Sequence, residues 1–215
     1  DLSDTDKISD DGQKIIDRID AMSEKVDDPR LERAREKAKK AASLGSETHD
    51  QEDTLKASEE LLEAKKLLAQ TRQEHIKEIR QMDLDSCADF FNKAVRQHAK
   101  PSESEAFDNL TRAAQRSIDR NDPDFENQLL ELKGKNFSIL WRLDWFVIDY
   151  FNGMVQNPYN FTDRSRFEDL KRAGLTYVKN DQIDELRAIV AELSRIEVTD
   201  SIGENIFDKV NVIRG

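Results

Sequence analysis

The sequence predicts an all-α fold, a somewhat elongated helical bundle of helical hairpins with one long helix and a central aromatic-rich helix. Three observations carry that reading. Only seven Gly and four Pro occur in 215 residues, against roughly 12% in an average soluble chain, so loop-forming residues are scarce. Apolar and charged residues each make up 37%, too charged for a compact α/β core and too apolar for disorder. Apolar side chains also recur at three- and four-residue steps through most of the chain, the period of amphipathic helices.

Ser9 followed by Asp10 and Asp11 reads as an N-cap with an acidic first turn. Ile15, Ile16, Ile19, Met22 and Val26 then predict a helix ending near Asp27. Asp28-Pro29 places a capping carboxylate before a proline at the first helical position. It predicts a second helix through Ala42, terminated by Gly45. Residues 1–44 are thus expected to form a lid-like N-terminal hairpin, and residues 45–54, without apolar periodicity, a linker. From Leu55 to Pro101 neither Gly nor Pro interrupts the pattern. One helix of up to roughly 45 residues, about 68 Å long, is predicted, with a kink at Asp83 to Asp85. Leu61, Leu68, His75 and Met82 fall seven apart, as do Leu62, Ala69 and Ile76. They outline a short coiled-coil seam through which the long helix would self-associate.

Ser102 to Glu105, just after Pro101, reads as a capping box opening a helix with Phe107, Leu110, Ala113, Ala114 and Ile118. Asp122-Pro123 repeats the start signal before Phe125, Leu129, Leu130 and Leu132, and Gly134 is expected to stop that helix. Phe137 to Val155 is the most apolar stretch. Phe137, Trp141, Trp145 and Ile148 form one stripe and Ile139, Leu143, Phe146 and Tyr150 another, predicting one helix surrounded by neighbours. Arg142, Asp144 and Asp149 exclude it as a membrane span. The long helix and central bundle therefore cover 55–157. Asn157-Pro158 ends the bundle, Thr162-Asp163 caps the next helix and Asn180-Asp181 starts its partner, a C-terminal hairpin over 158–195. Residues 196–215 form a tail expected to dock as a short helix or a strand.

A net charge of −11 and a pI near 4.9 repel polyanions, so neither nucleic acid nor a membrane surface is an expected partner. The single Cys87 permits no internal disulfide and points to a reducing, cytoplasmic setting. The polar start at Asp1 reads as a piece cut from a longer protein.

Chemistry-bearing motifs are sparse. His49, His75 and His98 belong to no metal-binding spacing. Cys87 and His98, eleven apart, would lie about 16 Å apart on one helix, too far for a thiolate dyad. Asp144 and Asp149 point about 140° from each other and form no acid–base pair. No phosphate-cradling or nucleophile-elbow motif occurs. No catalytic, cofactor or metal residue is therefore assigned, and an enzyme is not expected. Two features are candidates for protein or peptide binding. Arg30, Arg33, Lys37 and Lys40 form a basic stripe that is either a solvated face or a contact for an acidic partner, with Arg33 and Lys37 at its centre. The aromatic stretch with Trp141, Trp145 and Phe146 is either core or a groove for apolar peptide. The glycosylation-type triplets at Asn109, Asn136 and Asn160 are read as chance.

Ile8 to Asp11 with its following helix, the stretches Glu63 to Asp85, Glu105 to Phe125 and Asn136 to Phe151, and Leu186 to Leu193 together resemble the C-terminal helical region of divergent bacterial chaperones of the DnaK, or 70-kDa heat-shock, type. In that family an ATPase domain drives a β-sandwich that grips apolar peptides, and the following helices act as a lid. The resemblance implies a non-catalytic lid and lid extension that regulates or extends binding of unfolded clients, with ATP held elsewhere in the parent protein and a co-chaperone as a further partner. The chain lacks the Glu-Glu-Val-Asp tail of cytosolic eukaryotic members, and no site residue is carried over from the family. The alternative is an independent helical scaffold or adaptor for a folded partner.

Overall fold

The computed structural model describes residues 2–47 and 50–198, with side chains over 5–44 and 50–198. Nine α-helices run through them. They are α1 (Leu2–Ser23), α2 (Pro29–Glu47), α3 (Gln51–Glu74), α4 (Ile76–Phe90), α5 (Pro101–Asp119), α6 (Phe125–Leu140), α7 (Asp144–Val155), α8 (Arg164–Lys179) and α9 (Ile183–Ile196). The fold is an all-α helical bundle, and among the described residues the single β feature is an antiparallel bridge between Phe161 and Glu197. No described helix is long and apolar enough to cross a membrane. Packing divides the chain into two compact units. Of the described residues, the first contains those up to Ser86 plus Gln115–Phe125; the second contains Cys87–Ala114 plus 126–198.

In the first unit α3 packs with the α1–α2 pair. The core joins Ile8, Ile15, Ile19 and Met22 of α1 to Leu31, Ala34, Ala38 and Ala41 of α2 and to Ala57, Leu61 and Ala64 of α3, with Ile79 of α4 closing it. Small residues let the backbones approach closely. A Cβ on Gly12 would lie 3.0 Å from the Ala38 carbonyl oxygen and 3.1 Å from the Ala42 Cβ.

Several sequence expectations here are corrected. Ser9 is interior to α1, not its cap, because the buried Thr5 and Ile8 extend the apolar face toward the N-terminus. The helix ends at Ser23 rather than near Asp27; the Lys25 and Val26 amides both return to the Met22 carbonyl, at 3.0 and 2.9 Å. Asp28 does cap α2, its Oδ1 accepting the Arg30 N–H at 2.9 Å. Gly45 does not terminate that helix, which runs to Glu47, while α3 begins at Gln51 behind its cap Asp50. The helices thus take 45–47 and 51–54 of the expected linker, and Thr48 and His49 lie outside the described residues.

The long helix bends at His75 (φ −114°, ψ 35°), not at Asp83 to Asp85, which sit within α4. Just before the bend Thr71 donates its hydroxyl to the Leu67 carbonyl at 2.8 Å, a back-bond that loosens the local ladder. The ladder itself continues, from the Ile79 N–H to the His75 carbonyl at 3.0 Å. Leu61 faces the core while Leu62 is exposed, so one of the two seven-residue series is used within the bundle.

The second unit is packed by rings. Phe91 stacks on Phe107 with centroids 3.8 Å apart and Phe161 on Phe167 at 4.4 Å, and Phe146 and Phe151 are fully buried. After α4 the chain makes a π-helical turn, Phe91–Val95, and a short 3₁₀ turn, Arg96–His98. The capping box of α5 lies two residues earlier than expected: Lys100 donates its N–H to Glu103 Oε1 at 2.8 Å, and its carbonyl accepts the Glu103 and Ser104 amides. Gly134 lies inside α6, where a Cβ would meet nothing. The aromatic stretch is two helices rather than one, broken at Trp141 to Leu143 between α6 and α7. Asp163 caps α8 as expected, accepting the Arg166 N–H at 3.0 Å, and α8 packs on α9. Asp181 ends α8 rather than starting α9.

Asp181 (φ 56°) and Asn121 (φ 52°) are left-handed residues closing α8 and α5. Each donates its amide three residues back, to Val178 and Ile118, and the next amide reaches Tyr177 and Ser117. This is the Schellman pattern, with Asn and Asp in the place glycine usually takes. Of the tail, Val198 donates its N–H to the Asn160 carbonyl at 2.8 Å, an extended contact; residues 199–215 lie outside the described residues.

Candidate functional site

Among the described residues one group of His, Asp and Glu side chains brings ligand-type atoms within 4.8 Å of one another: Asp28, Glu74 and His75. The chain places them in two steps. Asp28 is fixed as the cap before Pro29, and Glu74 and His75 are presented by the bend between α3 and α4. The group is occupied by a neighbour on α2. Arg30 donates Nε and Nη2 to the two oxygens of Asp28 at 3.1 and 2.7 Å, and Nη1 to Glu74 Oε1 at 3.0 Å; Nη2 also pairs with Glu74 Oε2. His75 Nε2 meets Asp28 Oδ2 at 3.0 Å.

The electrostatics follow from this fork geometry. The Arg30 guanidinium, helped by the Arg30 backbone N–H, holds the Asp28 carboxyl far below its usual range against the opposing effect of burial. Glu74 is lowered by the same guanidinium, and Arg30 is raised by Asp28 and then Glu74. A divalent cation would have to displace Arg30, since the guanidinium already bridges both carboxylates. The arrangement is a charge clamp that ties the α1–α2 turn to the bend. Sequence reading missed it because its members are up to 47 positions apart and share no motif; the one local hint was the Asp28 cap.

The basic stripe is largely used within the first unit. Lys37 pairs with Glu63 at 2.7 Å and Glu60 at 3.4 Å, and Lys40 with Glu60 at 3.2 Å; Arg35, outside the stripe, pairs with Asp20. The Glu63 hydrogen bond raises Lys37, and Lys37 in turn lowers Glu63. Arg33 is exposed. Asp83, expected to mark a kink, instead receives Arg18 through both oxygens, at 2.7 and 3.1 Å, and Arg72 at 3.2 Å.

In the second unit Phe137 gathers the aromatic knot, with ring centroids 5.6 Å from Trp141, 5.6 Å from Phe146 and 5.5 Å from Tyr150. Phe146 is buried, Trp141 half-buried, and Trp145, edge-on to Phe146 at 6.0 Å, remains 39% exposed. Burial, and secondarily the charge of Glu197, pushes the Tyr150 hydroxyl above its ordinary range. Arg187 of α9 holds the turn between α6 and α7, donating to the Trp141 and Arg142 carbonyls at 3.3 Å and to Asp144 Oδ1 at 3.1 Å. Arg142 reaches the start of α5, bonding Glu103 at 2.8 and 3.0 Å and the His98 carbonyl at 2.9 Å. That fork, with the Lys100 N–H, holds Glu103 down at about 2. Asp144 is therefore an exposed partner of Arg187. Cys87 is buried with Asn136 Nδ2 at 3.6 Å from its sulfur, and Asn136, completely buried, is no surface glycosylation site.

No family model, curated protein or solved structure matches the chain.

Proposed function

We propose that the chain is a non-catalytic helical region that binds other proteins, of the kind the sequence resemblance implies: the lid and lid extension of a DnaK-like chaperone, acting on unfolded clients. The observation that carries this reading is Trp145, a large apolar side chain 39% exposed at the edge of an aromatic knot whose Phe146 and Tyr150 are buried and whose Phe137 and Trp141 are half-buried. A partly open aromatic anchor beside a packed cluster suits weak capture of apolar peptide, with the indole supplying contact area. The titratable residues brought together by the fold are engaged in clamps that satisfy them: Asp28 and Glu74 on Arg30, Glu103 on Arg142, Asp108 on Arg96. Carboxylates held low by arginine are poor proton donors at neutral pH, which favours a binding role over acid–base work. ATP hydrolysis, in this reading, belongs to a different part of the parent protein.

The test is suppression of light scattering by an aggregating unfolded protein. The full chain is expected to delay aggregation, and Trp145→Ala to weaken that delay several-fold with unchanged far-UV circular dichroism. An undiminished effect in Trp145→Ala removes the aromatic edge as the contact. Stoichiometric capture of one folded protein, insensitive to Trp145, would support the adaptor alternative instead.

A further inference from the structure

The first unit turns one face of α3 outward. Leu55 and Leu62, seven residues apart, are 61% and 53% exposed, and Ala69, seven further on, is exposed as well. At 100° per residue Leu55, Leu62 and Ala69 lie within about 20° of one line down the helix. That line is distinct from the buried one through Ala57, Leu61 and Ala64. Most exposed apolar residues on a helical protein stand singly; two leucines and an alanine in heptad register form a seam.

The charges beside the seam specify what fits it. Glu59 lies about 60° to one side of the Leu62 line, and Lys66 about 40° to the same side, one on each side of Leu62 along the axis. Both are exposed. A second α3 laid antiparallel across a twofold axis at Leu62 keeps each residue on its own lateral side but reverses its position along the helix. Leu62 then meets its own copy, Leu55 faces Ala69 of the other chain, and Glu59 faces Lys66 twice over. In a parallel pair the twofold axis would run along the seam, placing Glu59 and Lys66 of the two copies on opposite sides of it, so that neither acidic–basic pairing forms. We propose that this face of α3 binds a second copy of the chain, antiparallel, about a twofold axis through Leu62. A self-complementary patch of this kind is what an isologous dimer requires. With two leucines per copy at its centre the association is weak, populated at tens to hundreds of micromolar in keeping with the low end of interface sizes.

Sedimentation equilibrium of the full chain across that concentration range is expected to show a monomer–dimer equilibrium. Leu62→Glu, at an exposed position, should weaken it at least tenfold with unchanged circular dichroism. Glu59→Lys alone should weaken it several-fold, and Glu59→Lys combined with Lys66→Glu should restore it. Geometry is read separately by oxidation. Leu62→Cys should form a disulfide dimer quickly, and Leu55→Cys slowly, because only Leu62 meets its own copy. A monomer at every concentration, a dimer indifferent to Leu62→Glu, a charge reversal that fails to rescue, or faster crosslinking at Leu55 than at Leu62 would each overturn the proposal.

Discussion

The two units solve helix packing in opposite ways. In the first, α1, α2 and α3 meet through Ala34, Ala38, Ala41, Ala57 and Ala64, and a Cβ on Gly12 would press on Ala38 and Ala42 of α2. In the second, Phe91, Phe107, Phe146, Phe151, Phe161 and Phe167 fill the space. Phe125 is the sole aromatic residue of the first unit. Alanine buries little area, so the first unit adds ion pairs along its helix rims: Arg30 with Asp28 and Glu74, Lys37 with Glu60 and Glu63, Arg18 with Asp83. A large ring brings 150–250 Å² of surface inside on its own, as an order of magnitude, and needs fewer such ties. Close approach and bulk are alternative routes to a filled interior.

The contrast can be broken most severely in the second unit. Phe107→Ala, which removes a fully buried ring stacked on Phe91, is expected to cost about 3–5 kcal/mol, measured by urea unfolding. Both tryptophans belong to that unit, so their fluorescence follows it alone while circular dichroism follows every helix. Next in size come additions rather than deletions. Ala38→Leu in the first unit, with α1 against α2, and Gly174→Ala in the second, where a Cβ would lie 2.3 Å from a Phe151 ring carbon, should each destabilise by about 1–3 kcal/mol. If Ala38→Leu were harmless, close approach would not be what holds the first unit.

Acid provides a third comparison. Glu103 is held at about 2 from an ordinary 4.5. A lowered carboxylate stabilises the fold fully above its unfolded value, and that contribution disappears as pH falls from about 4.5 toward 2. Asp28 and Glu74 are lowered likewise. Both units should therefore weaken on the acid side, and Arg142→Leu should flatten the pH dependence of the tryptophan-monitored transition without altering that of the first unit. The smallest effect has the opposite sign. Gly134→Ala, at a helical position open to space, should stabilise by about 0.5–1 kcal/mol, in contrast with Gly174 in the same unit.

The same glycines explain how far the sequence could be read. The all-α class, the Asp28 and Asp163 caps and the α8–α9 hairpin were legible because each rests on neighbours in sequence. Gly45 and Gly134 were read as stops, yet helices run through both, since a glycine costs a helix only about 1 kcal/mol and packing elsewhere outweighs that. The bend at His75, beside the Thr71 back-bond, and the break at Trp141 to Leu143 are also held by distant partners, Asp28 for one and Arg187 for the other. The candidate clamp was illegible for the same reason. Of the residues singled out beforehand, Lys37 is engaged by Glu60 and Glu63 and Phe146 is core, while Arg33 and Trp145 stay exposed.

The complete burial of Asn136 has a practical consequence for producing the protein. It begins an Asn-Phe-Ser triplet, and the nearly buried Asn160 begins Asn-Phe-Thr. Oligosaccharide transfer in a secretory pathway acts on such triplets while the chain is still extended. A glycan on Asn136 would leave no room for α6 to pack, so material routed through that pathway should carry sugar and fail to fold, whereas bacterial cytosolic expression avoids the lesion. Replacing Ser138, whose hydroxyl is exposed and donates to the Gly134 carbonyl, with Ala would remove the triplet without disturbing the interior.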